Sequence, residues 1–458
     1  MAGRTSGSII CFVFCILFAA GSINSFAAEF QSIGFEALSM GGAGVASSRG
    51  CYATYYNPAL LAIPKHKTEV AISLGAAFRE VNLARHIDSI SNLEFEDSSF
   101  DSDNEIQGTL DWIASLSPSD LAENEVRAAG LSDHPSITNL KIIKKALANL
   151  GDTNGLHIMP TATLAVQAGN FGFGVFGVSE MSAYTVIDGR QDIIIDAGSD
   201  YYIRYDDVGD TFSLVPEEVY ENNSLEYAVQ NDLTTLNLAG LSYIEIPIAY
   251  GHKFETGFGQ VCVGGALKLM PGRSYSETLT IDTDSGDIDD RFDEIEESDT
   301  SYGIDLGLLY IPQQLPKLST GLVCKNLNTP EFDTADGGEL KIDPQVRWGV
   351  AYDVLNDNMT LSLDADLTEN DTFIRGYKSR FIGGGINYHP TTWLSLRGGM
   401  MKNMSESDDG PILTAGLGLG VKWFQIDLAG QYSTKSGEFD DEEIPQYARA
   451  AFSIVSKW

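Results

Sequence analysis

The stretch TEVAISLGAAFREVNL (Thr68–Leu83) decides how this chain is read. Val70, Ile72, Leu74, Ala76 and Phe78 fall on one face, and Ala71, Ser73, Gly75, Ala77 and Arg79 on the other. A period of two marks a β-strand, here with one apolar face and one small or polar face. The same division returns further along. Tyr302, Ile304, Leu306, Leu308 and Tyr310 oppose Gly303, Asp305 and Gly307; Phe424, Ile426, Leu428 and Tyr432 oppose Gln425, Asp427 and Gln431. Aromatic residues at both ends of an apolar stripe match the two interfaces of a bilayer.

From Thr68 to Trp458 the pattern predicts about fourteen such strands. Their connections alternate in length. Short turns are read at Gly169-Asn170, Glu255-Thr256-Gly257, Ile311 to Leu315, Leu355-Asn356-Asp357, His389-Pro390-Thr391 and Val421-Lys422. Long connections are read at 84–156, 185–239, 273–299, 328–341, 368–377, 402–410 and 433–445. A soluble sandwich also alternates in hydrophobicity. It has no reason to sort its loops by length, whereas a barrel closed in a membrane does. The expected fold is all-β: a transmembrane up-and-down antiparallel β-barrel. Segments 106–125 and 136–150 in the first long connection, and Val215 to Leu233 in the second, read as helical excursions on the extracellular side.

The N-terminus carries Arg4, an apolar run from Ile9 to Ala20, and Ser25-Phe26-Ala27. This order reads as a secretory signal peptide over 1–27, cleaved near Ala27. The apolar run falls short of the roughly 20 residues a spanning helix needs. The barrel then covers 68–458. Cys51, Cys262 and Cys324 form no motif and suggest neither a disulfide framework nor a redox site.

The net charge is −35, which excludes nucleic acid as a partner class. The acid gathers in the long connections, as at Asp282 to Asp299 and Glu438 to Glu443. Asp282, Asp284 and Asp287 loosely resemble a calcium loop, but the glycine is displaced by one position. The favoured reading is a solvated acidic loop, with no metal. There is no G-x-S-x-G and no H-E-x-x-H, so neither an enzyme nor a cofactor is expected. Among the inward charges, Asp364 and Asp366 stand two apart on one face and are the best candidates for a functional pair; Arg347 and Arg397 are candidate lumen cations. A structural role, pairing charges and holding an internal segment, is the favoured alternative.

Between leader and first strand lie MGGAGVA (Met40–Ala46) and YYNPALLA (Tyr55–Ala62). This order resembles the FadL/OMPP1/TodX superfamily of outer-membrane transporters. The resemblance implies that 28–67 is a hatch plugging the lumen. Asn57, Pro58 and Ala59 match the family's Asn-Pro-Ala element, and Gly41, Gly42 and Gly44 its glycine-rich part. CKNLNTPEF (Cys324–Phe332), DPQVRWGVAY (Asp343–Tyr352) and LSLDADLTEN (Leu361–Asn370) are similar to a subfamily labelled TraF, after a plasmid-transfer protein.

The resemblance implies the outer membrane of a Gram-negative bacterium and passive uptake of hydrophobic small molecules. It also implies a kink in the third strand, here at Gly172, Gly174 and Gly177, where substrate leaves sideways. The final strand, ending in Phe452, Ile454 and Trp458 on one face, resembles the signal read by the barrel-assembly machinery. The bilayer itself is the remaining partner. The alternative function is a structural or interaction barrel associated with conjugal transfer or secretion.

Overall fold

A computed structural model describes residues 28–83, 126–127, 135–151, 153–198, 201–206, 211–279, 296–335, 337–421, 423–439 and 442–458. The expected signal peptide at 1–27, the expected helix at 106–125 and the expected acidic loop with Asp282, Asp284 and Asp287 lie outside the described residues.

Fourteen antiparallel strands close into one barrel. In chain order they are β1 (Thr68–Val81), β2 (Gly155–Ala168), β3 (Phe171–Val186), β4 (Thr235–Thr256), β5 (Gly259–Leu279), β6 (Glu296–Pro312), β7 (Leu318–Lys325), β8 (Gln345–Val354), β9 (Met359–Asp366), β10 (Phe381–Thr391), β11 (Leu394–Asn403), β12 (Ile412–Val421), β13 (Phe424–Ser433) and β14 (Tyr447–Lys457). Each strand pairs with its sequence neighbours, and β1 pairs with β14 from Glu69 opposite Lys457 to Arg79 opposite Tyr447. Closure removes the edges that an open sheet would expose.

The face division follows the sequence pattern. Ile72, Leu74, Leu306, Leu308, Leu428 and Tyr432 are exposed on the outside, whereas Arg79, Asp305, Asp427 and Ser73 are buried within. In water such an exterior would be a large apolar patch; in lipid it is a matched solvent.

Several boundaries differ from the expectation. β10 runs through His389 and Pro390 to Thr391, with a register irregularity between Tyr388 and Thr391, and the turn falls on Thr392-Trp393. A bulge absorbs the proline, which has no N–H to donate to a regular ladder. β4 and β5 extend well past the expected strand ends, to 22 and 21 residues.

The long-loop end carries the helices α3 (Pro135–Leu150), α4 (Glu217–Asn223) and α5 (Leu225–Gln230). It also carries a small sheet that the sequence pattern did not announce: Val126–Arg127, Thr211–Val215, Tyr202–Asp206 and Ile194–Asp196, paired in that order. Tyr202 stacks on Tyr220 of α4 at 4.6 Å, which closes α4 over the sheet.

Candidate functional site

The interior is filled by the segment before β1. From Ala28 to Ala62 every residue is buried except Glu36 and Arg49, which are half-buried. Its elements are short: α1 (Phe35–Ser39), α2 (Ala53–Tyr56) and a 3₁₀ turn over Pro58–Ala62. A segment with so little internal helix must satisfy its backbone against the wall.

Asn57 shows how. Its Oδ1 accepts from Ala59 N at 3.0 Å and so caps the 3₁₀ turn, while Pro58 takes the first position of that turn, where no N–H is required. Its Nδ2 donates to Val45 O at 3.0 Å and to Leu308 O on β6 at 3.1 Å. One amide therefore ties the turn, the glycine-rich stretch and the wall together. Ala59 is fully buried against β5 and β6.

The glycine-rich stretch is held from the other side. Asp364 Oδ2 accepts from Gly44 N at 2.8 Å and Val45 N at 2.9 Å, and Gly41 N donates to Thr414 Oγ1 at 2.9 Å. Gly41 and Gly42 take positive φ of 67° and 79°, the region that glycine enters without a Cβ penalty. A Cβ on Gly44 would stand 2.6 Å from the Tyr56 ring.

Asp364 and Asp366 both face inward, but they are not a free pair. Asp366 meets Arg347 Nε at 2.5 Å, and Asp364 is engaged by the hatch backbone. Arg347 also lies over the Phe30 ring at 3.8 Å. Arg397 pairs with Asp427 at 2.7 Å and lies over Phe35 at 4.9 Å. The lumen cations thus clamp hatch aromatics from one side and wall carboxylates from the other, which satisfies charges that burial would otherwise penalise.

The wall is shaped to the hatch. A Cβ added at Gly264 or Gly307 would collide with Pro58 or Asn57, and one at Gly383 with Gly41. At Gly399 it would lie 2.8 Å from Met40 C, and at Gly321 2.8 Å from Val45 O. Inward glycines on β5, β6, β7, β10 and β11 therefore let backbone lie on backbone. Between hatch and wall, a space beside Arg347 and Asp364 measures about 10 Å³, about the size of one water-probe sphere.

The third-strand glycines separate. Gly172 faces in, where a Cβ would collide with Thr54; Gly174 abuts the Phe176 ring; Gly177 faces out. Around them the wall ladder is interrupted. Met159 and Pro160 do not pair with Ser179 and Glu180, although the flanking residues do. The same happens for Gly174 and Val175 against Ile246 and Pro247, and for Ile244 and Glu245 against Met270 and Pro271. Register is the same on both sides of each gap. Each gap contains a proline, which lacks the N–H a ladder needs. The sequence reading passed over Pro160, Pro247 and Pro271, though a proline inside an alternating run is a visible signal.

In front of these gaps, on the outside of the barrel, lies a groove of about 720 Å³ floored by Pro160, Ala162, Gly177, Ser179, Ser242 and Pro271. Behind them, Gln31 of the hatch donates to Glu180 at 3.2 Å and to Met159 Sδ at 3.1 Å, and accepts from Arg449 at 2.8 Å. Glu29 is paired with Arg79 at 2.6 Å. Cys51, Cys262 and Cys324 are free and buried.

In overall architecture the chain is similar to the toluene transporter TbuX of Ralstonia pickettii, with 13% identity, 94% of this chain and 99% of that one covered, and a TM-score of 0.46. It is similar to the toluene transporter TodX of P. putida at 10% identity, 94% and 99% coverage and a TM-score of 0.44. A FadL homologue of Pseudomonas aeruginosa shows 12% identity, 95% and 99% coverage and a TM-score of 0.44. No curated protein sequence matches the chain. The model of the family described as "F plasmid transfer operon, TraF, protein" matches residues 54–366. That span runs from the middle of the hatch through β9, and the chain belongs to this family.

Proposed function

We propose that the chain is an outer-membrane barrel through which small hydrophobic molecules enter passively and leave sideways into the bilayer. The observation that carries this reading is the groove before Gly177 and Ser179, where the wall loses its ladder at three successive strand pairs. Backbone groups without ladder partners are the cheapest place to part a barrel wall. The Asn-Pro-Ala hatch and its resemblance to the FadL superfamily support the same reading. This reading needs no cofactor and no energy source. With the hatch seated the lumen is packed, so passage requires the hatch to shift.

The test is uptake of an apolar solute such as toluene by vesicles holding the purified protein. Wild type is expected to raise uptake above empty vesicles. Asn57→Ala, which cuts the ties to Val45 and Leu308, is expected to raise it further. Uptake at the level of empty vesicles for both would sink the reading.

A second reading is favoured by the density of the hatch's bonds to the wall: a permanently closed barrel that presents its long-loop end to a partner in a conjugal transfer or secretion apparatus. Gene deletion that lowers conjugation frequency and leaves hydrophobic uptake intact would select it.

A further inference from the structure

Two of the long connections turn inward at the mouth of the barrel. In the one between β9 and β10, Phe373 is 3% exposed and Ile374 fully buried, while the next two residues, Arg375 and Gly376, meet solvent. A loop that only trims a rim keeps its side chains in water. The connection is also held together by its own bonds. At its base Asn370 pairs with Ser379 and Asp371 with Lys378. Thr372 Oγ1 accepts from Ile374 N at 3.2 Å and donates to Tyr377 O at 2.9 Å, and Tyr377 N donates to Ile374 O at 3.1 Å. These bonds would survive if the connection lifted as a unit.

The Phe373 ring belongs to a buried apolar cup made by Val178, Leu241, Tyr243 and Met270 on β3 to β5, with Ala28 of the hatch at its floor. A second loop ring, Phe332 from the β7–β8 connection, fills the same cup. It lies 6.1 Å from the Tyr243 ring, and a Cβ on Gly272 would stand 2.6 Å from it. The wall is therefore hollowed at Gly272 to take an aromatic ring.

This cup lies directly behind the interrupted part of the wall. Val178 and Tyr243 flank two of the ladder gaps, and Met270 lies within one. Val178, Tyr243 and Gly272 also line the outer groove. One layer of strand separates that groove from two phenyl rings, and both rings are carried on loops.

We infer that the cup is the entry site for an apolar solute of one aromatic ring, and that Phe373 and Phe332 are the chain's own occupants of it. The β9–β10 connection is then a strap that lifts when the solute takes the place of Phe373. Exchange of one ring for another leaves the buried apolar area nearly unchanged, so opening costs what it takes to lift the strap. A charged solute gains no such exchange and would be buried without a partner. The direction of travel rests on the transport reading above; the site does not.

The experiment uses the full chain with para-fluorophenylalanine in place of Phe373 alone, followed by fluorine NMR in neutral detergent as toluene is added to saturation. The resonance is expected to move toward that of a solvent-exposed ring. The same label at Phe212, buried in the small extracellular sheet, should not move. A fixed Phe373 resonance, or equal movement at both positions, overturns the proposal.

A tether gives the second readout. A Cβ on Gly376 would stand 3.9 Å from Thr153 Cβ, within the about 3.5–4.5 Å that a disulfide spans. Oxidised T153C/G376C is expected to lose all toluene uptake above empty vesicles, and reduction to restore it. The reduced form is the control for strain at Gly376, whose φ is 77°. Uptake that persists in the oxidised form overturns the strap. A moving Phe373 resonance with no uptake by wild type would sink the transport reading and leave the site standing.

Discussion

The two sides of the barrel wall solve different problems. The arc from β10 to β13 has strands of 10 or 11 residues with complete ladders, apart from the bulge at the β10 turn. The arc from β2 to β5 has strands of 14 to 22 residues and a ladder cut at three places. On the regular side, inward Gly383, Gly385, Gly399 and Gly416 press against Met40, Gly41 and Ser39 of the hatch. On the interrupted side, prolines remove ladder donors and Gly177 floors an outer groove. Glycine stands where another backbone must come close, and proline where pairing must stop. Both arcs hold the hatch, because Gly251 on β4 and Gly264 on β5 also press on Pro58; what sets the second arc apart is its three ladder gaps.

The largest effect is expected on the regular side. Arg397→Ala would leave Asp427 buried without its partner, a loss of about 3–5 kcal/mol, read as a lower midpoint of urea unfolding in detergent. Gly399→Val comes next. Its Cβ would stand 2.8 Å from Met40 C and 2.9 Å from Gly41 N, both backbone atoms that cannot swing away. Overpacking of this kind costs about 1–3 kcal/mol, and ion conductance across planar bilayers should rise as the hatch is pushed from its seat.

The interrupted side should respond in the opposite sense. The double change Pro160→Val and Pro247→Val restores two ladder donors, each adding about 0.5–1.5 kcal/mol. The unfolding midpoint should rise while hydrophobic uptake falls; a rise in uptake would contradict the assignment of this wall. The smallest effect is expected from Gly177→Ala. Its Cβ meets only Ala162 O, at 3.3 Å, so stability should stay within about 0.5 kcal/mol. A large loss there would mean that the groove floor is packed as tightly as the hatch seat.

Much of this was legible before any coordinates. The strand stripes, the loop sorting and the helix at Pro135–Leu150 follow from period and turn chemistry. The resemblance of Asn57-Pro58-Ala59 and the glycines before it drew attention to the segment that lies buried inside the barrel. Other features were not. The small sheet at Val126–Arg127, Ile194–Asp196, Tyr202–Asp206 and Thr211–Val215 has strands too short for a period to emerge. Asp364 and Asp366 read as an equivalent pair because spacing reports a shared face and nothing about partners. Three hundred and twenty residues separate Asp364 from Gly44, and no local pattern carries that distance.

The sequence by itself determined that apolar and polar faces alternate, hence a closed sheet with oil outside, because that information lies in neighbours two residues apart. Only the tertiary structure decided which inward charge meets Arg347, which glycine meets Asn57, and that Pro160, Pro247 and Pro271 fall in one region of the wall. Those facts depend on register around a closed ring, where a shift of one residue would turn every side chain to the other face.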